Sequence, residues 1–304
     1  MAEEKYSFVE VSPTPISESE FLDQSLEATN DWFVKIGSCI REDEKKDFSS
    51  VTETLSPEDK QRILSGVKPA MDEVATELGI ILPDDLLNRV YILNRPNFYR
   101  FTKPETGGRN PQGITLSNRY VLLDYQSLQR TAKRTGEDFE TLLRMSVIHE
   151  LWHSTNYMAN WVKAGKILRD SAPKKVGMWV GVPDFEQTRA SVGLYLLNEG
   201  FTQFRTEETQ KKMGEACKYE PYPAEVEIVR LLKDNIGIKP FVKAATTKNG
   251  LKDFSEAMTL RYGVSSLKTV LLKLDDDRMN QSTFGRPSYT GTWNFLSGPT
   301  LKTA

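Results

Sequence analysis

The sequence predicts an α+β fold, mostly helical, in which a small β-sheet precedes a buried helix and a helical lobe follows it. Three observations carry this. Short apolar runs of strand character lie at Val90–Leu93, Gly113–Leu116 and Tyr120–Leu123. The run Leu142 to Leu151 is apolar on nearly every side of a helix, the pattern of an element buried all round. Beyond it, stretches with apolar residues at helical spacing follow one another, punctuated by Gly and Pro.

In chain order, residues 1–25 are polar, with Ser, Glu and Pro and no sustained core pattern. Leu22 to Ile40 reads as a helix with Trp32, Phe33 and Ile36 as its stripe. A helix starts at Ser56, where Ser is a good N-cap, Pro57 suits the first position, and Glu58 and Asp59 complement the dipole. Ile63, Leu64, Val67, Met71, Val74 and Leu78 form its core face, Gly79 stops it, and Pro69 is expected to kink it. Val90–Leu93 is a strand, Phe98–Phe101 reads as another, and Thr106 to Pro111 is a loop. Gly113–Leu116 and Tyr120–Leu123 then form a hairpin around Ser117-Asn118-Arg119.

Tyr125 to Thr135 is a helix stopped near Gly136, and Asp138 to Tyr157 is the next. Trp161 to Gln187, with Lys163, Lys166, Arg169, Lys174 and Lys175, reads as a basic, solvated connector or as a loop lining a cleft. Val192 to Thr202 is helical, and Tyr222-Pro223 opens a helix to about Asn235 that Gly237 ends. Short helices follow near 240–248, 251–261 and 264–274. Asp275-Asp276-Asp277 opens a polar tail in which Tyr289, Trp293 and Phe295 are spaced for packing on the body. The expected division is 1–55, an N-terminal segment; 56–158, helix plus sheet plus buried helix; 159–274, the helical lobe; and 275–304, the tail.

Composition excludes several classes. Forty basic against 42 acidic residues leave a net charge of −2, which gives no broad electrostatic case for nucleic acid. No apolar run approaches the roughly 18 residues of a membrane span, and the N-terminus Met1-Ala2-Glu3-Glu4-Lys5 is not followed by a signal-peptide core. The two cysteines, Cys39 and Cys217, match no metal or redox spacing and read as small apolar groups. These features point to a cytoplasmic protein, or to export by a route without a cleaved signal.

The only two histidines in 304 residues stand in His149-Glu150-Leu151-Trp152-His153. Their falling four apart with Glu after the first is a coincidence of roughly 1 in 2,000. On a helix, four residues is a rotation of about 40° and a rise of about 6 Å, so both imidazoles leave one face at neighbouring turns. Two ring nitrogens can then reach one zinc ion, and the glutamate lies where it can accept a proton from water beside the metal. This is the H-E-x-x-H pattern of zinc metallopeptidases.

A catalytic zinc needs a third protein ligand, and no histidine is left. Glu, Asp, Tyr or Cys must supply it. The first candidate is Glu199, alone in the otherwise uncharged run Val192 to Thr202 and therefore facing either solvent or a strong partner. Asp184 and Glu227 are weaker candidates.

His149-Glu150-x-x-His153 followed by Asn198-Glu199-Gly200-Phe201 resembles the gluzincin clan of metallopeptidases, the second run being similar to the metal motif of its aminopeptidase branch. The match covers about 70 residues, a quarter of the chain. The resemblance implies a zincin-like fold, one zinc ion per chain on His149, His153 and Glu199, and Glu150 as general base. There is no Gly-x-Met-Glu-Asn segment, which in those aminopeptidases grips the substrate amino terminus, so an endopeptidase acting on peptide or protein substrates is expected. Thermolysin-like members use a further histidine at the oxyanion. Here a tyrosine or arginine must serve, with Tyr222 the first choice and Tyr219 and Tyr195 behind it. Gln203 and Asn198 are candidates to orient the imidazoles. In zinc peptidases an edge strand beside the metal helix can hold an extended peptide, a role open to Gly113–Leu116 or Tyr120–Leu123. The rival readings are a zinc-site protein that binds peptide without cleavage, and a non-catalytic helical interaction protein.

Overall fold

A computed structural model describes residues 33–35, 52–106, 111–116, 119–163, 166–167, 174–181, 189–247, 250–284 and 289–297. The architecture is α+β and mostly helical, as predicted, with a small three-stranded sheet ahead of the histidine-bearing helix. The chain divides into two compact units, one drawn from Ile40–Thr155 and Thr202–Pro221, the other from Met1–Cys39, Asn156–Phe201 and Tyr222–Ala304.

The first unit holds α1 (Pro57–Ile63), α2 (Val67–Leu78), β2 (Val90–Leu93), α3 (Arg95–Thr106), β3 (Gly113–Thr115), β4 (Val121–Asp124), α4 (Tyr125–Thr135) and α5 (Phe139–Ser154). β1, Phe33–Lys35, belongs to the other unit. The sheet order is β2-β4-β3, with β2 parallel and β3 antiparallel to β4. The strand period of two explains its packing. Val90, Ile92, Val121 and Leu123 join the core that contains α5. Leu93 and Leu122 face the other way, against Phe98 of α3. Both faces of β4 are therefore covered, and all four of its residues are buried. α5 is buried almost all round, as its sequence predicts, with Leu142, Leu143, Met145, Val147, Ile148, Leu151 and Trp152 in the core. Asp138 caps it by accepting the backbone N–H of Thr141 at 2.8 Å, and that bond holds its carboxyl below the usual range.

The second unit holds β1, β5 (Met158–Lys163), β6 (Lys166–Ile167), β7 (Lys174–Val176) and β8 (Trp179–Gly181). These form an antiparallel sheet in the order β1-β5-β7-β8, with β6 on β5. The helices α7 (Pro223–Ile236), α8 (Lys239–Thr246), α9 (Gly250–Tyr262), α10 (Ser266–Phe284) and α11 (Thr290–Ser297) complete it. Phe201 meets Phe241 tilted and Phe241 meets Phe254 edge-on, with ring centroids 5.4 and 4.9 Å apart, all three rings buried. The helix α6 (Arg189–Lys212) is continuous through both units, whose division falls between Phe201 and Thr202. Among the described residues no helix is long and apolar enough to cross a membrane.

Several expectations need correction. Phe98–Phe101 is part of α3, not a strand; the Asn94 side chain accepts the Asn97 N–H at 3.0 Å and Pro96 sits in the first turn. Those two residues are a helix start that the aromatic run obscured. The Ser56 helix breaks between Ile63 and Val67, with Gly66 at φ +82°, so Pro69 falls in the first turn of α2, where its missing N–H costs nothing. Phe33–Lys35 is a strand rather than helix, while the rest of Leu22–Ile40 lies outside the described residues. Much of Trp161–Gln187 is sheet, not connector. The acidic triplet at 275–277 lies within α10, and the tail carries α11. The expected stops at Gly79, Gly136 and Gly237 coincide with helix ends.

Candidate metal centre

α5 and the second half of α6 meet along a seam read at helical spacing. Thr202 touches His153, Gln203 touches His149, and Thr209 accepts the indole N–H of Trp152 at 3.0 Å. Arg205 lies over the Trp152 ring, 4.9 Å from its centroid, and donates to the Trp152 carbonyl and to the hydroxyls of Thr155 and Thr202. Burial pushes the Arg205 guanidinium down to about 9. Positions 202, 205 and 209 repeat every three to four residues, and Glu199 is the preceding member of the same stripe. The register that seats Thr202 and Gln203 on the histidines thus carries Glu199 to them as well.

The Nε2 atoms of His149 and His153 face each other at 3.2 Å. One ligand atom from each of His149, His153 and Glu199 lies within 4.8 Å of the others, and all three residues are buried. The opposite nitrogens are engaged too: His149 Nδ1 lies 3.1 Å from Gln203 Oε1, and His153 Nδ1 3.4 Å from Thr202 Oγ1. An amide oxygen facing Nδ1 favours the tautomer that carries its proton there and leaves the Nε2 lone pair to a metal. Two imidazole nitrogens and a carboxylate brought together in a buried place are a donor set that a divalent cation takes. Two nitrogens at about 2.05 Å from a tetrahedral zinc are separated by about 3.3 Å, close to the 3.2 Å found. The donor set therefore fits a divalent metal ion.

Glu150, between the two ligands, turns to the sheet. Thr115 Oγ1 lies 2.7 Å from its backbone carbonyl and 2.9 Å from its carboxylate Oε2. β3 presses so closely on α5 here that a Cβ at Gly113 would stand 2.9 Å from Glu150 Cγ and 3.0 Å from Oε1. Glycine is needed for that approach. β3 is an edge of its sheet and only half-buried.

On the other side of Glu199, Gly200 brings α6 against the first turn of α7. A Cβ there would meet the Glu225 carbonyl oxygen at 2.8 Å and its Cβ at 2.9 Å. Gly200→Ala should therefore destabilise the protein. Ala gains about 1 kcal/mol of helix propensity over Gly, but overlap with backbone that cannot move aside costs about 1–3 kcal/mol, and the weakened α6–α7 contact adds to it. Urea unfolding measures the sign, and a more stable variant would contradict this close approach.

The other candidates are placed as follows. Tyr222 is the residue before Pro223 at the start of α7, three positions ahead of Glu225. Tyr219 packs on the core of the first unit. Tyr195 meets Trp179 edge-on at 6.2 Å. Asn198 accepts the Met178 N–H at 3.1 Å. Glu227 is exposed and pairs with Arg230. Asp184 and Cys39 lie outside the described residues. Burial pushes the half-buried Cys217 thiol up to about 12, and its Sγ donates to Glu137 Oε2 at 3.4 Å. Sequence reasoning missed Thr202, although it lies three residues after Glu199 on the same stripe, and Thr115, which no sequence signal marks. Compared with known protein families, curated proteins and solved structures, the chain matches none.

Proposed function

We propose that the protein is a zinc-dependent endopeptidase of gluzincin type. The observation that carries this reading is the convergence of two Nε2 atoms at 3.2 Å with the Glu199 carboxylate, in a place where all three side chains are buried. His149, His153 and Glu199 would hold the ion, with Gln203 and Thr202 fixing the imidazole tautomers from behind. What zinc supplies when bound is Lewis acidity, which polarises a peptide carbonyl and makes water a usable nucleophile near neutral pH.

The chain's own residues do the rest. Glu150 accepts a proton from the attacking water and returns it to the leaving amine. Thr115 steadies its carboxylate by sharing one hydroxyl proton between Oε2 and the Glu150 carbonyl. Tyr222 is the proposed donor to the oxyanion. An extended substrate would add to the open edge of β3 by main-chain hydrogen bonds, which passes its backbone beside Glu150.

The test is metal content by mass spectrometry, followed by hydrolysis of an unstructured protein such as denatured casein. About one zinc per chain and cleavage abolished by a chelator and restored by zinc are expected. A chain that takes up no zinc after incubation with it would end the reading. A chain that binds zinc and peptide but cleaves nothing would be a binding protein.

A further inference from the structure

We propose that Arg119 selects substrates that carry an aspartate or glutamate side chain about two residues from the one facing Glu150. The inference deepens the reading of β3 as the strand that receives an extended peptide, and rests on it.

Arg119 closes the turn between β3 and β4. Its backbone N–H donates to the Leu116 carbonyl and the Leu116 N–H to the Tyr120 carbonyl, both at 2.8 Å. Its φ is +68°, the left-handed region that a turn of this length usually fills with glycine. An L side chain there costs about 1–2 kcal/mol. Nothing in the backbone favours arginine at this position; what recommends it is the side chain.

That side chain is half-buried, and its Nη1 donates to the Ser154 carbonyl at 2.6 Å. The bond caps the last turn of α5 but neutralises nothing, because a guanidinium has five donors and a full charge. Among the described residues no carboxylate pairs with it. Burial, with the repelling charge of Arg89 behind it, holds the Arg119 guanidinium below its usual range. Arg89 has its own partner, Asp85 at 3.0 Å. A half-buried cation with spare donors and another cation nearby favours an anion from outside.

Its position fits a peptide on β3. Gly113 and Thr115 face α5 at Glu150, while Ile114 packs on the opposite side with Phe98 and Leu122. Arg119 meets α5 at Ser154, one turn further on, a rise of about 6 Å. On a strand added to the open edge of β3, side chains on the α5 face recur every two residues, about 6.6 Å. The two repeats nearly match, so the next side chain on that face beyond the one at Glu150 comes level with Arg119. A carboxylate there can take two of the remaining guanidinium N–H groups as parallel hydrogen bonds.

The experiment uses the full zinc-loaded chain. Sites cut in denatured casein are mapped by mass spectrometry, and one site with an acidic residue within about three positions of the cut is remade as peptides differing only there, with Glu, Gln or Lys. The wild type should prefer Glu over Gln about 10-fold in kcat/KM, between the small worth of an exposed ion pair and that of a buried charged hydrogen bond. The preference should lie in KM and shrink as salt is raised. Arg119→Gln keeps a donor for the Ser154 carbonyl but no charge, and should bring the Glu-to-Gln ratio close to one. Arg119→Glu should prefer the Lys peptide. An arginine that only ties the turn to α5 would instead change kcat/KM for all three peptides together and leave their ratios alone. If Arg119→Glu fails to fold, Arg119→Gln decides the matter. A wild-type ratio within twofold of one, or a ratio retained in Arg119→Gln, overturns the proposal and leaves the peptidase standing. A zinc-loaded wild type that cleaves nothing overturns both.

Discussion

Glu199→Ala is expected to weaken zinc binding by more than the roughly 10–100-fold typical of losing an outer-layer partner, and with it to abolish hydrolysis. Glu199 is the only anionic member of the His149, His153, Glu199 cluster. Its removal leaves two neutral imidazoles, one ligand fewer than the three protein donors usual at a catalytic zinc. Gln203→Ala supplies the scale for comparison. It removes the oxygen facing His149 Nδ1 but no ligand, so its effect should stay near 10-fold. Folding is the necessary control, because Glu199 is buried on the same α6 stripe that packs on α5. Alanine there removes a carboxylate that is costly to bury, so the variant without metal should unfold at no lower urea concentration than the wild type without metal. Zinc held by Glu199→Ala within a few-fold of wild type would transfer the third ligand to Asp184 or a tyrosine and would break the assignment made from Asn198-Glu199-Gly200-Phe201.

What the sequence made legible was the local chemistry. The i, i+4 histidines, the cap at Ser56 and the all-round apolar α5 are consequences of helix period and backbone hydrogen bonding, and all are present in the structure. The carboxylate at 199 was readable because an isolated charge in an apolar helix calls for a partner. Its meeting with the histidines was not, since that depends on the α5–α6 register fixed by Trp152, Arg205 and Thr209. The sheet containing β5, β7 and β8 was missed for a related reason. Its strands are short, rich in lysine and defined by pairing with β1, more than 100 residues earlier in the chain, rather than by any apolar run. At Phe98–Phe101 the conflict is local: aromatic β-propensity favours a strand, but the Asn94 cap and Pro96 are stronger and start a helix. The C-terminal segment looked polar because three aspartates open it, yet Asp277 is the acceptor that docks α11.

Glu150→Gln should separate cutting from binding. Glutamine keeps the length and shape of the side chain, and its amide oxygen can still accept from Thr115 Oγ1, so α5, β3 and the metal ligands have no reason to move. What it loses is basicity. With no group to take the proton from water and return it to the amine, turnover should fall about 10²–10⁴-fold, while zinc stoichiometry and peptide affinity stay within about twofold of wild type. Thr115→Val adds a graded companion. It leaves the carboxylate in place but takes away the hydroxyl 2.9 Å from Oε2, so Glu150 keeps its chemistry and loses part of its orientation. Its turnover should fall less than that of Glu150→Gln, with the loss in kcat rather than KM, because an extended peptide on β3 is held by main-chain groups that the substitution does not touch. If Glu150→Gln cleaved denatured casein at the wild-type rate, Glu150 would not be the base, whatever its place in the motif. If both variants lost peptide binding together with turnover, β3 and Glu150 would be holding substrate rather than working on it, and the zinc site would serve recognition.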